Sequence, residues 1–250
     1  MKELIINVKM LAGKLFRINT EQSVAFIAEK LSSFKITRED EETHVQLNFE
    51  FSVDGYDESS LNGTIYYDKV IKVGTKEGYK PEVSTIKVQF FVKNIEGYYF
   101  LFILAKKPLA NYLANEFSKA VFIRPGYVVE ARIDPNIFLD YYNKSLEETR
   151  VAYFDQIDIP NVNVLALYGD ALSQTDLFKM YQEHGLLWYI VVRAKSISQI
   201  IGLTRNCVIT MFSRGTVDDI VKYAFEEVAP LVIESYNKKK QENEEEKKTA

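Results

Sequence analysis

The sequence predicts an α+β fold in which antiparallel sheets have helices packed on one face, arranged as two subdomains. Phenylalanine and tyrosine each occur 16 times among 250 residues, and aromatic side chains are frequent in strands. Residues 45–53 alternate apolar and polar side chains with a period of two, which indicates a half-buried strand. Residues 108–120 instead place apolar side chains at helical spacing, as in a helix that covers a sheet.

The first half predicts a four-stranded meander between two helices. Asp54-Gly55 and the tight turn Asn94–Gly97 separate strands by only a few residues, which is typical of antiparallel neighbours. The hydroxyl and acidic residues of Thr20–Ser23 indicate a helix start. The expected elements are a helix at 21–33, strands at 45–53, 64–73, 84–93 and 98–105, and a helix at 108–120.

The remaining elements follow from turn and capping signals. Asp134-Pro135 begins a helix that is expected to continue to about residue 148, and Ser173–Asp176 is a capping box for another. Gly185 is expected to be the left-handed residue that ends this helix. Thr216 caps a long apolar-faced helix that Pro230 should bend or end. The expected strands are 128–133, 150–154, 162–168, 186–194 and 207–212.

The best domain boundary is expected within residues 134–160. We therefore predict a subdomain at 1–134, a second at 135–236 and a charged flexible tail at 237–250, which has no apolar residue before its final alanine. Residues 97–106 resemble residues 185–195, which indicates a duplicated strand–connection–strand unit. Chance similarity between two buried strands is the alternative.

Charge and cysteine content limit the class of protein. The formal net charge is −4, whereas proteins that coat nucleic acid or anionic membranes without specificity are usually basic. No apolar run approaches the ~20 residues that a spanning helix needs. The one cysteine, Cys207, cannot form a disulfide within the chain. A cytoplasmic protein without a membrane partner is expected.

The side chains that usually carry catalysis are scarce. His44 and His184 are the only histidines, and neither has a second histidine or a cysteine at metal spacing. Glycine-rich phosphate loops are absent. Glu130-Ala131-Arg132 is the nearest approach to a metal-dependent nuclease pattern, and it has arginine where lysine is wanted. No catalytic residue, metal ligand or cofactor is therefore predicted.

The most specific candidate site is the turn Ser213–Thr216, just before the long helix. Free N–H groups at a helix N-terminus favour anions, and cationic side chains occur in this turn and in the loops before it. The predicted residues of an anion or nucleic-acid site are Lys195, Arg205, Ser213, Arg214, Gly215 and Thr216. The alternative is an ordinary capping turn with one solvated arginine.

A second basic patch surrounds the helix at 108–120. Its members are Lys106, Lys107, Lys119 and Arg124. If the duplication is real, this patch is equivalent to the first, and together they could follow a nucleic acid. The alternative is that these side chains only keep an aromatic sheet soluble.

The leading functional hypothesis is a non-enzymatic binding or interaction protein that acts through its surface. An aromatic-rich sheet offers a pairing edge or a flat face, and a protein partner or a homodimer fits either. The second hypothesis is a nucleic-acid or phosphate-ligand binding protein that uses Lys195, Arg205 and Arg214. The third is a phosphodiesterase or nuclease whose site is assembled from distant residues.

Overall fold

A computed structural model describes residues 10–76, 78–144 and 150–249, with side chains as far as residue 245. The chain divides into two compact units. One consists of residues 17–129, which we call the 17–129 unit. The other combines residues 10–16 with 130–249, and we call it the 130–249 unit.

The elements before residue 131 are strands with two intervening helices. They are β1 (Leu11–Ile18), α1 (Val24–Ser32), β2 (Lys35–Glu39), β3 (Gln46–Tyr56), β4 (Ser60–Thr75), β5 (Gly78–Ile95), β6 (Tyr98–Ile103), α2 (Lys107–Phe122) and β7 (Val128–Glu130).

The later elements contain most of the helical residues. They are α3 (Pro135–Asn143), β8 (Val151–Asp155), β9 (Leu165–Tyr168), α4 (Asp176–His184), β10 (Leu186–Arg193), β11 (Ile200–Thr204), β12 (Val208–Met211), α5 (Val217–Tyr223) and α6 (Ala229–Thr249). The predicted end of α3 near residue 148 lies outside the described residues.

The sheet of the 17–129 unit runs in the order β2-β3-β4-β5-β6, and every one of these pairings is antiparallel. This is the predicted meander with one further strand, β2, at its edge. Helix α1 packs on β3 and β4, while α2 packs on β6 and on α1. The core between them contains T-shaped aromatic pairs such as Phe51 with Phe90 and Phe51 with Phe117.

The hairpin of β4 and β5 extends beyond both neighbouring strands. The register of β3 with β4 ends at Tyr67, and the register of β5 with β6 begins at Phe90. In the described registers, the pairs from Lys69↔Ser84 to Thr75↔Gly78 therefore have no third strand beside them. We call residues 69–84 the ribbon. Seven residue pairs make it about 24 Å long.

In the 130–249 unit the sheet order is β1-β12-β11-β10-β8-β9, again antiparallel throughout. Strand β10 lies between β8 and β11, and Ile190 and Val192 are fully buried. Helix α3 packs on β10 and on α6. The predicted α+β fold with antiparallel sheets is thus confirmed.

Two capping details differ from the prediction. Helix α4 is capped by Thr175, whose hydroxyl accepts from the Phe178 N–H, and not by Ser173, which lies in a short 3₁₀ turn. Gly185 has an extended backbone with φ −161° rather than a left-handed one. A Cβ there would lie 2.3 Å from Ile157 Cδ1 and 3.0 Å from the Asp155 oxygen. Close packing against Ile157 and Asp155, not turn geometry, therefore favours a glycine here.

The last helices form one continuous rod with a π-helical segment at Ala224–Val228. In that segment the Ala229 N–H donates to the Ala224 carbonyl, five residues back. Pro230 follows this segment within the continuous rod, at a point where the regular α-helical hydrogen-bond pattern is already interrupted by the π-helical turn. Of the two predicted outcomes at Pro230, a bend or an end, the end does not occur, because the helix continues through α6. Residues 237–249, predicted as a flexible tail, continue α6.

Strands β1, β2 and β11 were not expected. Lys14 and Arg17 interrupt the apolar pattern of β1, and β2 is mostly exposed. The internal duplication is not confirmed: the long helix α2 follows β6, whereas β11 follows β10 after a short turn.

Candidate functional site

The structure places the predicted anion-site residues at two opposite ends of β11. Ser213 accepts a hydrogen bond from the Ile200 N–H and donates to Gln199, so the turn before α5 lies beside the first residue of β11. Lys195 follows Arg193, which pairs with Ile200, and is therefore at the same end. Arg205 follows the last residue, Thr204, about 14 Å away along the strand.

The helix N-terminus at Thr216 is occupied by the protein's own carboxylate. The Thr216 hydroxyl accepts from the Asp219 N–H, and the Asp219 side chain accepts from the Thr216 N–H and hydroxyl at 2.8 and 2.9 Å. These bonds hold the pKa of Asp219 below its ordinary value. Arg214 and Gly215 are exposed beside this capping box. The donors predicted to receive an external anion therefore already have an internal one.

The second predicted patch is divided between the two ends of α2. Lys106 and Lys107 are exposed at its start. Lys119 lies 12 residues after Lys107, or about 18 Å along the helix axis. Its ammonium binds Glu116 at 2.7 Å, and Arg38 binds the other oxygen of that carboxylate at 3.0 Å. Arg124 is exposed, and its carbonyl accepts from Ser118. Lys119 thus balances a carboxylate that is 2 % exposed.

Arg205 instead lies in a cavity of about 400 Å³ in the 130–249 unit. Its Nη2 donates to both oxygens of Asp155, at 2.5 and 2.7 Å, and its side chain is only 14 % exposed. Its backbone N–H donates to the Trp188 carbonyl, and its own carbonyl accepts from Ile133. The other lining residues are Glu130, Arg132, Asp134, Pro135, Gln156, Asn206 and Lys239. Arg205 is therefore fixed by its main chain and by its side chain.

Glu130 forms one wall of this cavity and holds a buried lysine. The Lys14 ammonium, 1 % exposed, binds one Glu130 oxygen, and Arg132 binds the other through Nε and Nη2 at 3.2 and 3.1 Å. Burial opposes ionisation of Glu130, but Lys14 and then Arg132 outweigh it and lower its pKa. The sequence pattern marks Glu130 only as part of the nearest approach to a nuclease motif, and no local signal marks its partner Lys14, which is 116 residues away.

A scan of the sequence against protein-family models matches no family, and a search of curated proteins finds no significantly similar sequence. Among the described residues no helix is both long and apolar enough to cross a bilayer. The same residues contain no group of three or more histidine, cysteine or carboxylate side chains arranged to hold a metal ion.

Each histidine contacts a carboxylate. His44 Nδ1 lies 2.6 Å from Glu39, and the residue has a positive φ of 56° in the turn before β3 rather than a place on the strand. His184 ends α4, and its Nδ1 lies 2.9 Å from Asp158. All four of these side chains are largely exposed. Within the described residues, the side-chain partner of each histidine is therefore a surface carboxylate and not a hydroxyl group.

Cys207 is buried in the 130–249 unit, in the tight turn between β11 and β12. Its φ is 57°, so it precedes the predicted strand instead of beginning it. Burial raises the pKa of its thiol far above the ordinary value. Because the thiolate is the reactive species, we expect iodoacetamide to leave the native protein unmodified and to alkylate Cys207 fully in denaturant, as measured by mass spectrometry. Rapid alkylation of the native protein would contradict this.

Proposed function

We propose that the protein is a non-enzymatic interaction protein that self-associates through the ribbon. The observation that supports this is the β4 edge at residues 69–74, which lies beyond the point where the β3 register has ended. A strand edge of this length presents unpaired N–H and C=O groups to any chain that can add a strand. We infer that the strand added to this edge is β4 of a second copy of the protein.

The ribbon also exposes apolar side chains that a partner strand would cover. Tyr79 is 80 % exposed and Val83 44 % exposed, while Val70, Ile71 and Val73 are half-buried. A two-stranded ribbon whose apolar side chains are exposed in this way lacks the packing that an independently stable sheet needs. A third and a fourth strand would supply that packing.

The β4 sequence contains a self-complementary register. If Ile71 faces Ile71 of a second copy in antiparallel pairing, Lys69 faces Val73 and Lys72 faces Val70. No like charges then lie directly opposite, and each lysine stem covers a valine. The arrangement has a twofold axis through the Ile71 pair, as expected of a closed dimer. A register shifted to bring Lys72 opposite Lys72 would be destabilised by repulsion.

We expect an Ile71→Cys variant to oxidise to a disulfide-linked dimer, because Cα atoms of directly opposed antiparallel residues lie about 4.5–5.5 Å apart. The chain's own thiol is buried and does not compete. Non-reducing electrophoresis and mass spectrometry measure the product. Gln89→Cys is the matched control: it is exposed on β5 outside the ribbon and should remain monomeric under the same oxidation.

Sedimentation of the unmodified protein over a range of concentrations gives the non-covalent equilibrium. Ile71→Lys should shift it to monomer by at least tenfold, whereas Gln89→Lys adds the same charge and should not. A second variant replaces residues 69–84 by Asn-Gly, which joins the register pair Asp68↔Thr85 in a two-residue turn. The proposal fails if this shortened protein associates as strongly as the parent.

We also place the protein in the cytoplasm. The support is its cysteine content. The chain has one cysteine, so it cannot form an internal disulfide, and the thiol of that cysteine is buried. Both features suit a reducing compartment. In a reducing compartment the proposed dimer is held together by strand pairing and not by a disulfide.

A further inference from the structure

A second cavity, of about 450 Å³, lies in the 17–129 unit, and we call it the acidic cavity. It is bounded by the end of β2 and the loop that follows, by the first residues of β3, by residues 67–68 of β4 and by Tyr112 of α2. Its volume is within the range of small-molecule sites. Its walls differ in chemistry, since one is aromatic and the others are mostly acidic.

Three aromatic rings form one wall of the acidic cavity. Phe49 lies opposite Tyr67 in the β3–β4 register, with 6.4 Å between the ring centroids. The Tyr112 ring packs on both, at 6.4 Å from Phe49 and 6.5 Å from Tyr67. Phe49 is buried, Tyr67 is half-buried and Tyr112 is 41 % exposed. The two tyrosines therefore present a surface that attracts a cation through the negative faces of their rings.

The charged side chains give the acidic cavity a negative balance. Those that line it are the carboxylates Glu39, Asp40, Glu41, Glu42 and Asp68 and the single cation Arg38. Five negative charges and one positive charge leave four negative charges. Groups bound to the lining residues do not reverse this. Arg38 binds Glu116, whose charge is balanced by Lys119, and a protonated His44 beside Glu39 would cancel only one further charge.

Four of these carboxylates have no cationic partner within ion-pair distance among the described residues. They are Asp40, Glu41, Glu42 and Asp68. The Asp40 side chain accepts from the hydroxyl and the N–H of Thr43 at 2.7 and 3.0 Å, and Asp68 accepts from the Thr85 hydroxyl at 2.6 Å. These hydrogen bonds hold the pKa values of both carboxyls below their ordinary value. Both are therefore ionised at neutral pH.

This arrangement suits an organic cation better than a metal ion. Mg²⁺ and Ca²⁺ need several oxygen ligands around one point, and the described residues contain no group of three or more carboxylate, histidine or cysteine side chains arranged in that way. An aliphatic amine instead separates its charges along an apolar chain. Carboxylates that do not converge can pair with separate ammonium groups, while the aromatic wall covers the methylene groups between them.

We propose that the acidic cavity binds a ligand with two or more alkylammonium groups, as in a free polyamine or in neighbouring lysine side chains. One ammonium contacts the aromatic wall, and the others pair with the carboxylates that have no internal partner. Arg38 does not compete for those carboxylates, because its Nη2 is held at 3.0 Å by Glu116, which is 2 % exposed.

Calorimetric titration of the full-length protein with spermidine should show saturable binding that weakens as salt is added. Tyr112→Leu removes a ring face and should weaken binding about fivefold, whereas Tyr112→Phe keeps the ring and should stay within about twofold of the parent. Glu41→Gln combined with Glu42→Gln should weaken binding at least tenfold. Both glutamates are exposed in a turn, so this variant tests the proposal even if Tyr112→Leu disturbs folding.

Glu29→Gln combined with Glu58→Gln is the matched control. It removes the same two charges from exposed side chains of the 17–129 unit that do not line the acidic cavity, so the affinity for spermidine should stay within about twofold of the parent. Equal weakening by the two double variants would mean general electrostatic attraction and would overturn the proposal. Absence of saturation at millimolar spermidine would overturn it as well.

Competition by a metal ion tests the role of the aromatic wall. Mg²⁺ carries the same charge as the diamine putrescine but has no alkyl chain. Putrescine should therefore displace spermidine at a concentration at least tenfold lower than Mg²⁺ does. Equal displacement by the two would show that the cavity responds to charge alone and would contradict the proposal.

Two further titrations separate the source of the amine and the role of the ribbon. Tighter binding of spermidine than of a capped trilysine peptide would identify a free polyamine as the ligand, and the reverse order would identify lysine side chains of a protein. The variant without residues 69–84 keeps every residue that lines the acidic cavity. It should bind spermidine as tightly as the parent whether or not the ribbon mediates self-association, so the two proposals fail independently.

Discussion

Replacing Glu130 with glutamine is expected to lower the free energy of unfolding of the 130–249 unit by about 3 kcal/mol. The substitution keeps the shape of the side chain but removes the carboxylate that balances Lys14, whose ammonium is 1 % exposed. Taking one partner from a buried ion pair leaves the desolvation of the other poorly compensated. Urea denaturation followed by Trp188 fluorescence measures the change, and the slope m should stay constant.

Two further variants separate this effect from a general loss of charge. Adding Lys14→Met to Glu130→Gln removes the buried charge itself, so the stability should return to within about 1 kcal/mol of the parent. Glu226→Gln breaks an exposed pair with Lys222 at 3.9 Å and should change the stability by less than about 0.5 kcal/mol. A double variant less stable than Glu130→Gln would show that the ion pair is not the cause.

The effect of Glu130→Gln should also depend on pH. The pKa of Glu130 is below its ordinary value of 4.5 in the folded protein, so folding favours the ionised form. The contribution of the carboxylate is therefore fully present above pH 4.5 and is lost as the pH falls through the lowered pKa. The difference between parent and variant should be largest near neutral pH and shrink in acid.

Replacing Gly63 with alanine is expected to destabilise the 17–129 unit by about 3 kcal/mol. Gly63 pairs with Val53 on one side and Phe90 on the other. A Cβ there would lie 2.3 Å from the Ser52 carbonyl oxygen and 2.8 Å from the Phe90 ring. The carbonyl belongs to the neighbouring strand and cannot rotate away, so the two strands must separate locally.

Gly55→Ala is the control for Gly63→Ala, because both glycines lie in the β3–β4 pair. At Gly55 the nearest atom to a new Cβ is Asn62 Oδ1 at 3.6 Å, which is an ordinary contact. Its effect should stay within about 1 kcal/mol. Urea denaturation followed by far-ultraviolet circular dichroism measures both. If truncation of Phe90 to leucine restores the stability of Gly63→Ala, the ring rather than the carbonyl is the obstacle.

Local patterns predicted the strand and helix segments well where side-chain periodicity was strong. The alternation around Phe49 and Phe51 and the apolar face of α2 both follow from burial on one side. The first half of β5 was missed because Tyr79–Val83 is exposed and contains Pro81, and proline argues against a strand. Pairing with β4 along the whole ribbon overrides that local signal.

The candidate sites depended on contacts between distant residues, which periodicity cannot supply. Arg205 was grouped with Arg214 because both lie near the strand 207–212 in sequence. Strand β11 lies between them, so the two arginines are at its opposite ends. This strand was not predicted because Gly202 and the uniformly apolar residues around it do not alternate with polar ones. The Lys14–Glu130 pair joins β1 to residues beyond position 129, and no local signal marks Lys14 as buried.

The π-helical segment at Ala224–Val228 determines which way the rest of the rod faces. A regular α-helix advances about 100° per residue around its axis. A helix of the same residues without the wide turn would therefore present Lys239 about a quarter of a revolution away from the cavity. The direction in which the Lys239 ammonium points is therefore set by a segment that begins fifteen residues earlier in the chain and does not contact it.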